Sequence, residues 1–355
     1  EFRRVLFRSF VISGISRVPI GGFKIIYEYA NRFVLKGHKV TILYTGRLFF
    51  ARNERFYLLK RFLKFFPVKI FRIYKTKWFP LHNVSEKFCW LPKKITLKMY
   101  DSLIATNVDS AYFLKEIISP EQDALYFIQD FENWGIPESK VFNSYNFGFK
   151  NIAIAPWLLE KIHAAGAQGT VVYNGFDFDY FSLKVPIEER FPYEVAFLWH
   201  ERPTKRCEDA IAALKLVKEK IPELHVTAFG VFEKPQLPDW FTYIKNPTKE
   251  EHTAIYNTAS IYVAASDFEG FGLTVGEAMI CGCAVACTDN GGFSCMVKHE
   301  ETGLIIKKFD KDIVVVLRLN TSEINKKNSI ITMWEIKEKR LERYLLTHKT
   351  IYKSE

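Results

Sequence analysis

The sequence predicts an α/β protein built from two Rossmann-like domains facing across a cleft. Three observations carry that expectation. Short apolar strands alternate with helical patterns along residues 10–173 and again along 195–288, the pattern that builds parallel sheets. Between the two runs lies Asn174-Gly-Phe-Asp-Phe-Asp179, a turn-forming stretch suited to an interdomain hinge. Each half also contains a strand, a glycine turn and a helix in succession, at Gly21-Gly22 and at Gly270-Phe271-Gly272. Such a step aims backbone N–H groups and a helix N-terminus at an anion. The expected domains are 10–174 and 175–320, with residues 321–355 an unassigned tail.

Composition narrows the class. A chain of 355 residues accommodates two domains, and 48% hydrophobic with 25% charged residues is globular rather than disordered. No apolar run approaches the roughly 20 residues of a membrane-spanning helix, and no signal peptide is visible, so a cytoplasmic protein is expected. The six cysteines are not spaced as paired zinc knuckles and read as free thiols in a reducing compartment. The net charge of +10 is uneven: residues 47–98 hold fourteen Lys or Arg against Glu54 and Glu86 alone.

The elements follow in order. Phe2 to Ser9 resemble a translated sequencing adapter, so residues 1–9 are set aside as a probable artefact. Phe10–Ser13 reads as the remnant of a first strand, with Arg8 badly placed for a buried one. The loop to Gly22, a helix with Ile25, Ile26, Tyr29, Ala30, Phe33 and Val34 on one face, a stop at Gly37 and a strand at Val40–Tyr44 complete a βαβ unit. Residues 47–98 then interleave Phe, Tyr and Trp with Lys and Arg. Three readings fit: a solvated face over an ordinary core, a surface seated on anionic lipid, or aromatic platforms for single-stranded nucleic acid. The absence of a recognisable nucleic-acid motif counts against the third. Strands follow at Ser102–Ala105 and Leu125–Ile128. The second runs into Gln129-Asp130-Phe131-Glu132, polar residues at a strand C-terminus that either meet a ligand or cap a helix. A strand at Asn151–Ala155, a helix at Leu158–Ala165 and a strand at Gly169–Tyr173 close the first half.

The second half opens with a strand at Val195–Leu198, then the charged loop His200-Glu-Arg-Pro-Thr-Lys-Arg206 and a helix over Asp209–Lys220. Strands are expected at Leu224–Gly230 and Phe241–Ile244, and a helix at Lys249–Thr258. Strand Ile261–Ala265 leads to Ser266-Asp-Phe-Glu-Gly-Phe-Gly-Leu-Thr-Val-Gly-Glu277, with a helix from Val275. A carboxylate on each side of this turn, Glu269 and Glu277, could hold a polyhydroxyl ligand by accepting O–H bonds. The bland alternatives are a dipole-stabilising Glu269 at a helix start, a solvated Glu277, loop charges at Arg202 and Lys205, and a loop histidine at His200.

In this order the residues resemble the retaining GT-B glycosyltransferases of family 4, over roughly residues 10–306. The family's E-x7-E signature is matched by Glu269-Gly-Phe-Gly-Leu-Thr-Val-Gly-Glu277. The following strand and Gly291-Gly292, then Glu301-Thr-Gly-Leu-Ile305, match its closing patterns. Tyr126-Phe-Ile-Gln-Asp-Phe-Glu132 is similar to bacterial surface-polysaccharide members, some of them rhamnosyltransferases. The resemblance implies a hexosyltransferase that moves a sugar from a nucleotide-diphosphate donor to a polysaccharide or lipid-linked glycan, with no cofactor and no metal. It implies Glu277 on the ribose and Glu269 on the transferred sugar. The N–H groups of Gly272, Leu273 and the Gly21-Gly22 turn would meet the diphosphate. Arg202 and Lys205 would neutralise the leaving phosphate, with Arg206 able to take the lysine role. No equivalent of the family's N-terminal-half histidine is evident; Thr106-Asn107 stands there.

Partners implied are the nucleotide-sugar donor, the glycan acceptor and an anionic membrane surface on the inner leaflet, with no nucleic acid. A sugar-nucleotide epimerase of the same architecture and a non-catalytic basic binding module are the competing readings. After Ile306 the family pattern lapses, and a shifted reading frame or a misassembled end beyond about Asp310 is expected.

Overall fold

The computed structural model describes residues 5–46, 50, 63, 70–90 and 97–306. The tail, the expected frame shift and most of the basic aromatic segment lie outside the described residues. The chain divides into two compact units, Glu1–Asn174 and Gly175–Glu355.

The first unit is a seven-stranded sheet in the order β3-β2-β1-β4-β5-β6-β7, all parallel. Its strands are β1 (Phe7–Ser13), β2 (Lys39–Thr45), β3 (Ser85–Cys89), β4 (Ser102–Ala105), β5 (Asp123–Ile128), β6 (Lys150–Ala153) and β7 (Gly169–Val171). The helices are α1 (Gly21–Leu35), α2 (Val108–Ile117), α3 (Glu138–Tyr145) and α4 (Pro156–Ala164). Strands buried on both faces read as continuous apolar runs, and Phe10, Val11, Ile12, Ile42, Leu103 and Ile104 are all buried.

Four features of the first unit depart from the expectation. Strand β1 begins at Phe7 rather than Phe10, because Phe7, Arg8 and Ser9 pair with Lys39, Val40 and Thr41. Arg8 is accommodated with its guanidinium 4.9 Å over the Phe33 ring. Burial lowers its pKa, opposed by the charges of Asp123 and Asp101. Strand β3 was not expected, since Ser-Glu-Lys-Phe-Cys carries no apolar run; it is an edge strand with one neighbour, β2. Helices α2 and α3 were also unexpected, although Asn107 and Ser110 form a capping box at the start of α2.

Around β3, the described part of the basic segment packs inward. Trp78 and Phe79 lie 5.4 and 5.5 Å from the Tyr27 ring of α1, and Tyr74 stacks on Phe88. Those aromatics serve the core, whereas Ile70 and Phe71 are exposed.

The second unit is a six-stranded parallel sheet in the order β10-β9-β8-β11-β12-β13. The strands are β8 (Glu194–Leu198), β9 (His225–Gly230), β10 (Phe241–Lys245), β11 (Ile261–Ala264), β12 (Ala284–Thr288) and β13 (Gly303–Ile306). Helices α5 (Cys207–Lys218), α6 (Lys249–Thr258) and α7 (Leu273–Ile280) connect them. Val195, Phe197, Val226, Ala228 and Val263 pack with Ala210, Leu214 and Val217 of α5. Strand order reverses between β8 and β11, so the loops leaving their C-terminal ends emerge side by side. Open α/β sheets place ligands at such a switch point. Among the described residues all six cysteines are free thiols, and no helix is long and apolar enough to cross a membrane.

Candidate functional site

The loops after β8 and β11 form the best-defined polar constellation. The first, residues 199–206, contains a 3-10 turn at Pro203–Lys205 and ends with Arg206 in the left-handed region, φ 50°. The second, residues 265–272, leads into α7. They are bonded to each other: the Asp267 N–H donates to the Thr204 carbonyl at 2.8 Å. Lys205 Nζ reaches Glu269 Oε1 at 2.5 Å, and Ser266 Oγ donates to the same oxygen at 2.7 Å. The Lys205 and Glu269 side chains retain only 22% and 18% of their exposure, which strengthens their attraction over that of a surface pair.

Of the two cations the sequence left open, Lys205 therefore contacts Glu269. Arg206 turns away, onto Asp209 and, at 3.4 Å, onto Asp267. Arg202 is exposed, and its backbone N–H donates to His200 Nδ1 at 3.0 Å. Burial, then Lys205 and Arg202, push the His200 pKa down to about 4. The ring is therefore neutral at physiological pH.

Beneath the second loop is a polar floor that sequence reasoning missed. Thr288 and Asn290, at the end of β12, both donate to the Ser266 carbonyl, at 2.6 and 2.9 Å. Asn290 Oδ1 then accepts the N–H groups of Gly292 and Phe293. The only visible signal was an Asn before the Gly-Gly pair. Gly292 presses on the glutamate loop: a Cβ there would lie 2.5 Å from the Glu269 carbonyl oxygen and 2.8 Å from its Cβ. Both sides of that contact are held by backbone, so Gly292→Ala must displace Glu269. The expected result is a protein that melts several degrees lower, measured by thermal denaturation.

Helix α7 starts at Gly272, which has φ 88° and packs under the Phe293 ring, 2.6 Å from where a Cβ would sit. Both the conformation and the space require glycine. The helix has no side-chain cap. Its leading N–H groups, from Leu273 onward, precede the first helical bond, Val275 N–H to the Gly272 carbonyl, and follow directly on the loop that carries Glu269. Glu277 is only 3% exposed, so the solvated-face reading does not describe it. A buried glutamate is costly, and nearby Tyr256, Tyr262 and Cys281 feel its charge.

In the first unit, Gly21 and Gly22 open α1, which also lacks a side-chain cap. The Gln129 amide lies 3.5 Å from where a Gly22 Cβ would be. Of the polar residues after β5, Glu132 accepts the Val108 N–H at 2.8 Å and so caps α2. Burial, with Asp130 and Asp109 nearby, pushes its pKa up to about 8. Asp130 Oδ1 accepts the N–H of Phe131. Asn107 is occupied as the α2 cap and by Ser13, at 3.2 Å.

Two parallel-sheet units with these strand orders form the GT-B glycosyltransferase fold. Solved structures of the same fold include HepE of Anabaena in complex with UDP-glucose, TM-score 0.68 at 14% identity over 98% of this chain and 99% of that one. Sucrose-phosphate synthase of Thermosynechococcus elongatus matches at TM-score 0.67 and 16% identity over 98% of each chain. Residues 190–327 match the family model described as Glycosyl transferases group 1. Among curated relatives, trehalose synthase of Thermococcus litoralis is 29% identical over 173 residues, and the match spans about 40% of either protein's length. The lipopolysaccharide core biosynthesis mannosyltransferase LpsB of Rhizobium meliloti is 47% identical over 70 residues, 18% of this chain and 20% of that protein.

Proposed function

We propose that this chain is a retaining glycosyltransferase of family 4 that transfers a sugar from a nucleotide-diphosphate donor. The observation that carries the reading is the Lys205–Glu269 pair set at the switch point beside the uncapped N-terminus of α7. The pair places a cation, a hydroxyl-binding carboxylate and oriented N–H groups together, which is what a sugar diphosphate requires. Similarity to glycosyltransferases over residues 190–327 supports it.

In this reading the N–H groups of Gly272 and Leu273 receive the diphosphate, and buried Glu277 holds the ribose hydroxyls. Lys205 exchanges its Glu269 contact for the distal phosphate, and Arg202 closes on the same group. As the glycosidic bond breaks, negative charge grows on the phosphate oxygens. Once the donor is seated, cations already in place on the phosphate stabilise that charge with no further reorganisation as the bond breaks. Charge from side chains takes the place of a metal ion in this scheme. Glu269, released from Lys205, accepts hydroxyl bonds from the transferred sugar. The acceptor hydroxyl attacks from the face the phosphate leaves, and its proton passes to the departing phosphate. Gly21 and Gly22 are assigned to anion binding at the start of α1.

The acceptor we propose is a polysaccharide or lipid-linked glycan. The basic segment 47–98, with Ile70 and Phe71 exposed, seats the protein on anionic lipid. The test is a thermal-shift panel of nucleoside diphosphates, since a ligand of the native state raises stability by mass action. Turnover of the nucleotide sugar so identified follows. Glu277→Ala and Arg202→Ala should each abolish it, and near-wild-type activity in either sinks the assignment.

A further inference from the structure

We infer that His200 is a positioning residue that fixes both phosphate-binding cations through a single acceptor atom. The inference rests on the reading of Arg202 and Lys205 as ligands of the leaving phosphate. His200 Nδ1 accepts the Arg202 N–H, two residues on, at 3.0 Å. The Arg202 carbonyl in turn accepts the Lys205 N–H at 2.9 Å, closing the 3-10 turn. The Arg202 residue is thus held on both sides, and one ring nitrogen sets the start of the turn that carries Lys205 to Glu269.

The ring itself is well anchored. Its centroid lies 4.6 Å from that of Phe232, and the His200 N–H donates to Cys207 Sγ at 3.3 Å, joining it to the first residue of α5. The tie needs an unprotonated Nδ1, because a protonated imidazole has no acceptor. A proton there would also place a third positive charge beside Arg202 and Lys205. The surroundings prevent this: burial and those two cations hold the ring neutral, with Glu269 and Cys207 the other titratable groups near it. The geometry is that of an Asx-turn, in which a side-chain oxygen accepts the N–H two residues on, with imidazole nitrogen in the oxygen's place.

That equivalence supplies the test. Asparagine can present an acceptor at the same point without the ring, whereas alanine cannot. Inorganic pyrophosphate is titrated by calorimetry into the full chain, His200→Ala and His200→Asn. His200→Ala should bind it about tenfold more weakly, and His200→Asn within about twofold of wild type. Both variants lose the packing on Phe232, so a difference between them reports the acceptor and not the ring. With a nucleotide-sugar donor, the alanine variant should lose mainly kcat, by on the order of 10²-fold for misplaced groups, and asparagine should recover most of it. Alanine binding pyrophosphate as wild type does, or asparagine as weakened as alanine, overturns the tie. Absence of sugar transfer in all three proteins, with the pyrophosphate pattern intact, would strike the glycosyltransferase reading and leave the tie standing.

Discussion

Lys205→Ala is expected to lower kcat for sugar transfer by about 10²–10³-fold, the loss seen when one preorganised group facing developing charge is removed. Activity and stability should separate at this residue. Lys205 contacts Glu269 at 2.5 Å with both side chains largely but not fully withdrawn from water. Partly exposed ion pairs contribute about 1 kcal/mol or less to folding, and Ser266 stays on the Glu269 carboxylate when the lysine is gone. The melting temperature should therefore move by only a few degrees while turnover falls by orders of magnitude. Lys205→Arg retains the charge but presents a planar fork where a compact ammonium sat, so it should recover part of the loss. Steady-state kinetics beside a thermal melt make the check. A kcat within threefold of wild type in Lys205→Ala would remove the lysine from the chemistry, whatever its effect on stability.

The meeting of Lys205 and Glu269 shows what was legible in the sequence. They are sixty-four residues apart, yet both follow apolar strands of one alternating half, and the reversal of strand order between β8 and β11 brings the strand ends together. The strands themselves were readable because β8, β11 and β12 are buried on both faces and carry near-continuous apolar runs. Edge strand β3 has no such run, so its Ser-Glu-Lys-Phe-Cys pattern passed for loop. Helix α2 was hidden because its capping box closes with Ser110 where Glu or Gln usually stands. The floor of Thr288 and Asn290 was not legible either, since nothing local marks which carbonyl a side chain will meet. Spacing also could not say which of Lys205 and Arg206 faces Glu269. That depends on Arg206 adopting a positive φ, which turns its side chain toward Asp209 and Asp267. Burial of Glu277 was equally hidden, because a single helical glutamate looks the same on either face.

Arg190 lay outside every motif, and its replacement carries the largest expected loss of stability. Arg190 is 6% exposed and faces no carboxylate. Instead its guanidinium donates to the carbonyls of Val185, Tyr256, Ala259 and Cys281, the last at 2.6 Å, and to Asn257 Oδ1 at 3.4 Å. Tyr256 and Ala259 lie at the C-terminal end of α6, and Cys281 is the C-cap of α7. Carbonyls at two helix ends, each the negative pole of its dipole, converge on one cation. Burial lowers the guanidinium pKa, partly offset by Cys283 and Cys281, but an arginine has ample range to stay charged. Arg190→Met fills similar volume and supplies no donor, so the Val185 and Cys281 carbonyls lose the guanidinium and the Tyr256 and Ala259 carbonyls keep only the weak Cys283 thiol between them. A buried acceptor left without its donor costs about 1–3 kcal/mol, so losing this donor set should cost on the order of 3–5 kcal/mol in all, which for a domain of this size is a fall in Tm of roughly 10 °C. Arg190→Lys keeps the charge with three donors instead of five and should fall between. Because the cluster is buried, the deficit should persist in high salt, unlike that of a surface pair. Differential scanning calorimetry of the full chain reads the result. A Tm within about 3 °C of wild type in Arg190→Met would mean that other donors or water satisfy those helix ends and that the arginine is not what holds α7, and with it Glu277, against α6.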